Sequence, residues 1–266
     1  VSVAYVLGHP VAHSLSPAMH NAAFRALGMD HRYEALDVGP EALAAAVARL
    51  RAPDVLGANV TVPHKERIIA LLDAVAEEAR EIGAVNTIVR AEGHLTGHNT
   101  DRAGFAAALA ERGVALEGKR ALVLGAGGAA RAAVPALRAA GAAVHVANRT
   151  PGRAAALVAA LGGEAAPWPA ALPSALEGFD LLVNATSIGL RGDDPLPGTA
   201  LPASLVVFDL VPTARETILL ARARAAGCVT VDGLLMLLHQ AAASFRLWTG
   251  ENASMSAMRA ALPRRV

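Results

Sequence analysis

The chain has 266 residues, enough for one large domain or two smaller ones with a substantial core. A net charge of +1 offers no basic stripe for nucleic acid, and 3% aromatic residues are too few for base-stacking platforms. A single cysteine, Cys228, excludes an internal disulfide, suits a reducing compartment and is expected to be a buried core thiol. Alanine supplies much of the 54% apolar content. The longest stretch without Asp, Glu, Lys or Arg, residues 1–24, is interrupted by Gly8, Pro10, Pro17, Asn21 and three histidines. No membrane span and no signal peptide are expected, and a cytoplasmic location is.

Short apolar runs alternate with helix-period segments along the chain, the pattern of a parallel α/β sheet. Val3–Leu7 reads as a strand. Ser16-Pro17 then opens a helix, with the serine as N-cap and the proline at the first helical position. Strands are expected at Arg32–Leu36, Leu56–Val60 and Asn86–Arg90, and Asp101 caps a helix to about Arg112 that leads into a second unit. There Arg120–Gly125 is a strand, followed by a helix to about Ala140, a strand at Ala143–Ala147 and a helix after Pro151. Later strands are expected at Asp180–Val183, Leu205–Asp209 and Cys228–Val231, a long helix after Asp232 and a last one after Glu251. The Ala/Pro-rich stretch Ala165–Pro173 reads as a loose surface segment, and Pro195, Pro197 and Pro202 mark a loop over residues 191–203. No repeat is visible.

Twenty-two arginines accompany only two lysines. Arginine cannot lose its proton in a protein, whereas lysine can. Lys119, in Glu117-Gly118-Lys119-Arg120, reads as exposed loop. Lys65, in Asn59-Val60-Thr61-Val62-Pro63-His64-Lys65, follows a strand and reads as a proton donor and acceptor. Pro63 is expected in a first helical turn, which would set Lys65 near a helix N-terminus, where partial positive charge disfavours a cation. Asp101 is expected to serve as the cap of its helix.

Gly125-Ala126-Gly127-Gly128-Ala129-Ala130 stands between a strand and a helix and fits G-x-G-x-x-G/A, the turn that brings backbone N–H groups against a dinucleotide pyrophosphate. The following strand ends at Asn148-Arg149-Thr150, with Arg153 beyond, where an NAD site usually carries Asp or Glu. Two guanidiniums and a hydroxyl there favour a 2′-phosphate, hence NADP. Thr186 and Ser187, in Asn184-Ala185-Thr186-Ser187-Ile188-Gly189 after another strand, are within reach of the same cofactor or form a plain Ser/Thr turn. Ser14 and Ser16 stand at a loop-to-helix junction able to hold a small carboxylate without a basic side chain. His9, His13 and His20 invite a metal reading, but Pro10 argues against a shared helix face. No metal is expected, and His13 is taken as a structural hydrogen-bonding group.

Here the chain resembles the shikimate dehydrogenase family. The pattern G-x-P-x-x-H-S-x-S-P-x-x-H-N runs from Gly8 to Asn21 and N-V-T-x-P-x-K from Asn59 to Lys65. Gly83–Thr87, Gly97–Asp101, the glycine loop, Asn148–Thr150, Asn184–Gly189, Asp232-Gly233 and Met236–Gln240 match in order. The resemblance implies an α/β protein of two domains. Residues 1–101 plus 236–266 would form the substrate domain and residues 102–235 a Rossmann-type NADP domain, with the reaction between them. It implies that Ser14 and Ser16 hold the substrate carboxylate, that Thr61, Asn86, Asp101 and Gln240 hold ring hydroxyls, and that Gly233 and Met236 approach the nicotinamide. Lys65 would be the acid and base, with Asp101 beside it, in the interconversion of 3-dehydroshikimate and shikimate by a monomer or homodimer.

One departure stands out: after Asp209 the family usually has D-x-x-Y-x-P, and here Pro212 holds the tyrosine position and Ala214 the proline position. A quinate or aminoshikimate dehydrogenase would share the fold. A methylene-tetrahydrofolate dehydrogenase would lack the Ser14–Pro17 signature. A non-catalytic metabolite-binding homologue is supported only by Pro212 and opposed by the Lys65–Asp101 pair.

Overall fold

A computed structural model describes residues 1–169 and 176–262. The described residues divide into two compact units, one of Val1–Ala103 with residues 238–262, the other of Gly104–Leu237. Residues 170–173 of the expected loose segment and 263–266 of the expected substrate domain lie outside the described residues.

The first unit is built on strands β1 (Ser2–Gly8), β2 (His31–Asp37), β3 (Val55–Val60), β4 (Ala74–Val75), β5 (Thr87–Ala91) and β6 (His94–His98). They form one sheet in the order β2-β1-β3-β5-β6-β4. The sheet is mixed, not parallel: β3 pairs antiparallel with β5, and β5 with β6. The reason is local. Glu92 and Gly93 both take positive φ, the two-residue turn that closes a tight hairpin. The strand after that turn, missed in the sequence, therefore runs back beside its predecessor. Helices α1 (Ser16–Ala26), α2 (Leu43–Arg49) and α3 (Glu77–Ile82) fill the connections. Val3, Leu7, Val47, Leu50, Val60, Ile68 and Ile88 belong to one buried cluster. A second, aromatic group contains Phe24, Tyr33, Phe245 and Trp248, with His20 stacked on Tyr33 at 4.4 Å between centroids.

This topology decides where the chemistry goes. Strands β1 and β3 are parallel, and β5 enters where β3 leaves, so Asn59 faces Thr87 and Thr87 faces His98. The segments after β1, after β3, before β5 and after β6 therefore meet at one end of the sheet.

The second unit continues from α4 (Asp101–Glu111) through β7 (Arg120–Leu124), α5 (Gly128–Ala139), β8 (Ala143–Ala147), α6 (Pro151–Leu161) and β9 (Glu164–Ala166). It then runs through β10 (Leu181–Asn184), β11 (Val206–Asp209), α7 (Ile218–Ala225) and β12 (Val229–Asp232), and the chain leaves it along α8 (Gly233–Thr249), followed by α9 (Met255–Ala260). The order β12-β11-β10-β7-β8-β9 is all parallel, the doubly wound Rossmann arrangement whose order reverses between β7 and β10. The first residues of the Ala165–Pro173 stretch are not loose as expected but pair with β8 as the edge strand β9. An edge strand of three residues carries too little alternation to be read from sequence. Cys228 is buried in the core of this unit, and burial pushes its thiol pKa up. Lys119 is an exposed partner of Asp180 at 3.0 Å. No described helix is long and apolar enough to cross a membrane.

Candidate active site

Lys65 lies in the turn after β3. It does not sit at a helix N-terminus as expected. Pro63 occupies a turn closed by the His64 N–H on the Thr61 carbonyl, and the next helical residue is Arg67, the start of a single short 3-10 segment. So short a segment aligns few peptide dipoles, and the dipole argument does not apply. A neighbouring carboxylate is what marks this lysine. Its Nζ donates to Oδ2 of Asp101 at 2.5 Å, with the two side chains 19% and 7% exposed. The Lys65 carbonyl accepts the Val85 N–H at 2.8 Å, which ties the lysine's backbone to the residue before Asn86.

Asp101 is not the cap of α4. The Asn99 side chain caps it, accepting the N–H groups of Asp101 and Arg102 at 3.1 and 3.4 Å. The Asp101 carboxylate is thereby used elsewhere, and a negative charge in the first turn is favoured by the helix dipole. Oδ1 accepts from Asn86 Nδ2 at 2.8 Å, while Oδ2 serves Lys65. Asn86 Nδ2 also lies 3.3 Å from Oε1 of Gln240 on α8. The structure thus gathers the part-buried Lys65 with buried Asp101, Asn86 and Gln240 into one cluster, drawn from two strand ends, a helix start and a distant helix.

Ser14, Ser16 and Thr61 lie at the same end of the sheet. Ser16 is the first residue of α1 and makes no side-chain cap, so its expected capping role is not observed. Its N–H donates to Ser14 Oγ at 3.3 Å, and its hydroxyl lies against that of Tyr33. The capping rule failed because Leu15 already has helical backbone angles and the turn begins one residue early. His13, expected to be a structural hydrogen-bonding group, is exposed. Of His9, His13 and His20 only His20 is buried, and burial lowers its pKa to about 3 against a smaller opposing effect of Asn59. Among the described residues no group of three or more His, Cys, Asp or Glu could hold a metal ion.

Behind Asn86 stand further polar groups for which the sequence alone suggests no role. Asn59, Thr87, Thr100 and Ser244 are buried and bonded to one another behind Asn86. Two signals were present. Asn59 is a polar residue inside an otherwise apolar strand, and Ser244 lies four residues after Gln240, on the same helix face.

In the second unit Gly125, Ala126, Gly127, Gly128 and Ala129 span the end of β7 and the start of α5. Gly125 has φ 107° and a Cβ there would lie 2.9 Å from the Ala185 carbonyl, so no other residue fits. Around Gly127, by contrast, a Cβ would meet nothing, leaving room before the helix N-terminus. The Gly125 N–H bonds the Ala147 carbonyl, and the Ala185 N–H bonds that of Leu124, so the loops after β7, β8 and β10 lie side by side. Arg149, Thr150 and Arg153 are exposed around the start of α6, with Asn148 Nδ2 donating to the Thr150 carbonyl at 2.9 Å. These residues fit a dinucleotide with a phosphate on its ribose: an open glycine turn at a helix N-terminus and two guanidiniums without a competing carboxylate.

The remaining cofactor candidates have structural duties. Thr186 Oγ1 donates to Asn184 Oδ1 at 2.7 Å and accepts the Ile188 N–H, forming the turn itself, whereas Ser187 is exposed. Gly233 is packed so closely on Leu210 that a Cβ would lie 2.7 Å from its backbone, and Met236 joins the buried core. Pro212 is exposed in the loop after β11.

Residues 6–88 match the family model of the shikimate dehydrogenase substrate binding domain. Residues 108–189 match that of shikimate / quinate 5-dehydrogenase, and residues 233–262 that of the shikimate 5′-dehydrogenase C-terminal domain. The shikimate dehydrogenase (NADP(+)) of Moorella thermoacetica is 51% identical over 264 residues, covering 95% of this chain and 90% of that protein. The chain belongs to the shikimate dehydrogenase family. Among solved members, shikimate 5-dehydrogenase from Thermus thermophilus, in complex with NADP(H) and shikimate, superposes with a TM-score of 0.91 at 47% identity, covering 98% of each chain. Quinate dehydrogenase from Corynebacterium glutamicum, in complex with NAD, is similar at 34% identity and a TM-score of 0.87, again over 98% of each chain. This member of the shikimate dehydrogenase family has the Lys65–Asp101 ion pair in its first unit and Arg149 and Arg153 after β8 in its second.

Proposed function

We propose that this protein is an NADP-dependent oxidoreductase that interconverts 3-dehydroshikimate and shikimate. The first unit holds the acid and the second holds the dinucleotide. The observation that carries the reading is the part-buried Lys65–Asp101 pair, its carboxylate bonded by Asn86 and Asn86 in turn by Gln240, in a chain of this family.

Ser14 and Ser16 hold the substrate carboxylate with hydroxyls and backbone N–H groups at the start of α1. Thr61, Asn86, Asp101 and Gln240 take the ring hydroxyls. The bound NADPH supplies a hydride to the ring carbonyl carbon. The carbonyl oxygen then needs a proton, which the Lys65 ammonium donates; the neutral amine is reprotonated from solvent, and in the reverse direction it removes the hydroxyl proton. Asp101 keeps Nζ in place with Oδ2 and stabilises the ammonium between turnovers. Asn86 occupies the other oxygen, so the carboxylate cannot rotate away. Lysine suits this task and arginine does not, because only lysine exchanges its proton. In the second unit the open turn at Gly127 and the α5 N-terminus receive the pyrophosphate, Ala126, Gly128 and Ala129 line it, and Arg149, Thr150 and Arg153 take the 2′-phosphate. Location in the cytoplasm and a monomeric or homodimeric state accompany this reading.

Reduction of NADP by shikimate, followed at the absorbance of the reduced nicotinamide, tests the reading. Quinate assayed in parallel separates the two acids, which differ at the ring and not at the carboxylate. No reduction from either acid, with NADP and shikimate both shown to bind, would favour a non-catalytic metabolite-binding role and sink the enzymatic one.

A further inference from the structure

We infer that Ser244 is a positioning residue of the reaction, its hydroxyl gathering Asn59, Thr87 and Thr100 into a clamp that holds the Asn86 and Gln240 side chains. The inference rests on the functional reading above, since it concerns how those two carboxamides are presented to the ring hydroxyls.

Ser244 is fully buried, on the same face of α8 as Gln240 and one turn after it. Its Oγ lies 2.9 Å from Asn59 Nδ2, 2.8 Å from Thr87 Oγ1, 3.1 Å from Thr100 Oγ1 and 3.0 Å from the main-chain carbonyl of Gln240. A hydroxyl has one proton and two acceptor positions. The Gln240 carbonyl can only accept, so the Ser244 proton goes there. Asn59 Nδ2 can only donate, so it fills one acceptor position. A threonine hydroxyl fills the other. Tyr33 fixes the Asn59 carboxamide by donating to its Oδ1 at 2.8 Å, which turns Nδ2 toward Ser244.

The consequence reaches Asn86. Its Oδ1 accepts the Thr100 N–H at 2.7 Å and the Thr87 hydroxyl at 3.0 Å. Nδ2 is then directed at Asp101 Oδ1. A flipped carboxamide would place oxygen against the carboxylate and an N–H against an N–H. Without the Ser244 hydroxyl, Asn59 Nδ2 is left to the Asn86 main-chain carbonyl and Thr87 Oγ1, each at 3.1 Å, and the Thr87 and Thr100 hydroxyls lose the oxygen they share. The redistribution falls on the two threonines that hold Asn86 Oδ1 and reach Gln240 Oε1.

The test is steady-state kinetics on full-length Ser244→Ala and Tyr33→Phe beside the wild type, with thermal midpoints measured in parallel. Loss of one hydrogen bond in a buried network predicts a shikimate KM raised about two- to tenfold in Ser244→Ala. Tyr33→Phe frees both Asn59 Oδ1 and the Ser16 hydroxyl, so its rise in the same direction counts only beside that of Ser244→Ala, and the NADP KM is unchanged in both. KM does not depend on the fraction of folded enzyme, so a merely structural role would leave it untouched while lowering the midpoint. An unchanged shikimate KM in Ser244→Ala overturns the inference whatever Tyr33→Phe does; should Ser244→Ala not fold, an unchanged KM in Tyr33→Phe overturns it alone. A wild type that does not turn over shikimate fails the functional reading separately, and the dissociation constant of shikimate then replaces KM in the same comparison.

Discussion

Lys65 Nζ and Asp101 Oδ2 are 2.5 Å apart, although their residues are 36 positions apart and come from different elements. Charge-assisted contacts of this kind hold both partners in a defined orientation, and the other oxygen of Asp101 is held by Asn86. Lys65→Ala is expected to lower kcat by about 10²–10⁴-fold, the usual contribution of a general acid-base group. Lys65→Arg keeps the charge but cannot exchange the proton, so it should be similarly impaired. NADPH affinity, measured by nucleotide fluorescence, should not change in either. A kcat near the wild-type value for Lys65→Ala would remove this lysine from the mechanism.

Asn86→Ala leaves the Thr100 N–H and Asp101 Oδ1 without their buried partner. An unsatisfied buried polar group costs about 1–3 kcal/mol. Chemical denaturation should show a stability loss of that order, accompanied by a fall in kcat as Asp101 gains freedom. Retained stability with retained turnover would mean that water replaces the carboxamide without consequence.

Arg149 and Arg153 are exposed and carry no ion pair with a carboxylate among the described contacts. Their proposed partner is the 2′-phosphate of NADP. Arg149→Ala should raise the NADP KM about tenfold or more, the worth of roughly 1.5–3 kcal/mol in hydrogen bonds to a charged group. The KM for NAD should stay as it is, so the cofactor preference narrows. Equal losses with both nucleotides would place Arg149 elsewhere than at the 2′-phosphate.

His20 supplies a pH prediction. Burial lowers its pKa from 6.5 to about 3, so the folded protein holds it neutral where the unfolded chain would protonate it. Its contribution to stability is complete above about pH 6.5 and is lost progressively as the pH falls toward 3, at up to about 1.4 kcal/mol per pH unit. Asp73, held at about 2 by the hydrogen bond from Arg51, adds a smaller loss in the same direction below pH 4. Thermal midpoints from pH 7 to 4 should decline in the wild type and less steeply in His20→Gln. Equal slopes would assign the acid sensitivity to other groups.

Some of this was legible in the residues themselves. The strand, glycine turn and helix around Gly125, the arginines after β8 and the apolar strands of the second unit are local patterns, because each depends on side chains within a few positions of one another. A lysine kept among many arginines could be singled out in the same way. The β5–β6 hairpin and the edge strands β4 and β9 were not legible, being too short to show a period. The cap of α4 was misread because Asn99 and Asp101 are both good caps, and only the backbone path shows which side chain turns back on the N–H groups.

The chain's own order of residues determined the family pattern, the dinucleotide turn and the chemical type of the proton carrier, all of which reside in short contiguous segments. The family resemblance put Asp101 beside Lys65 and named Asn86 and Gln240; tertiary structure alone decided that Asn86 bonds the second oxygen of Asp101, that Gln240 bonds Asn86, and that Ser244 stands behind both. Those contacts join strand ends with a helix that arrives more than a hundred residues later, and the mixed strand order of the first sheet is what brings them to one edge.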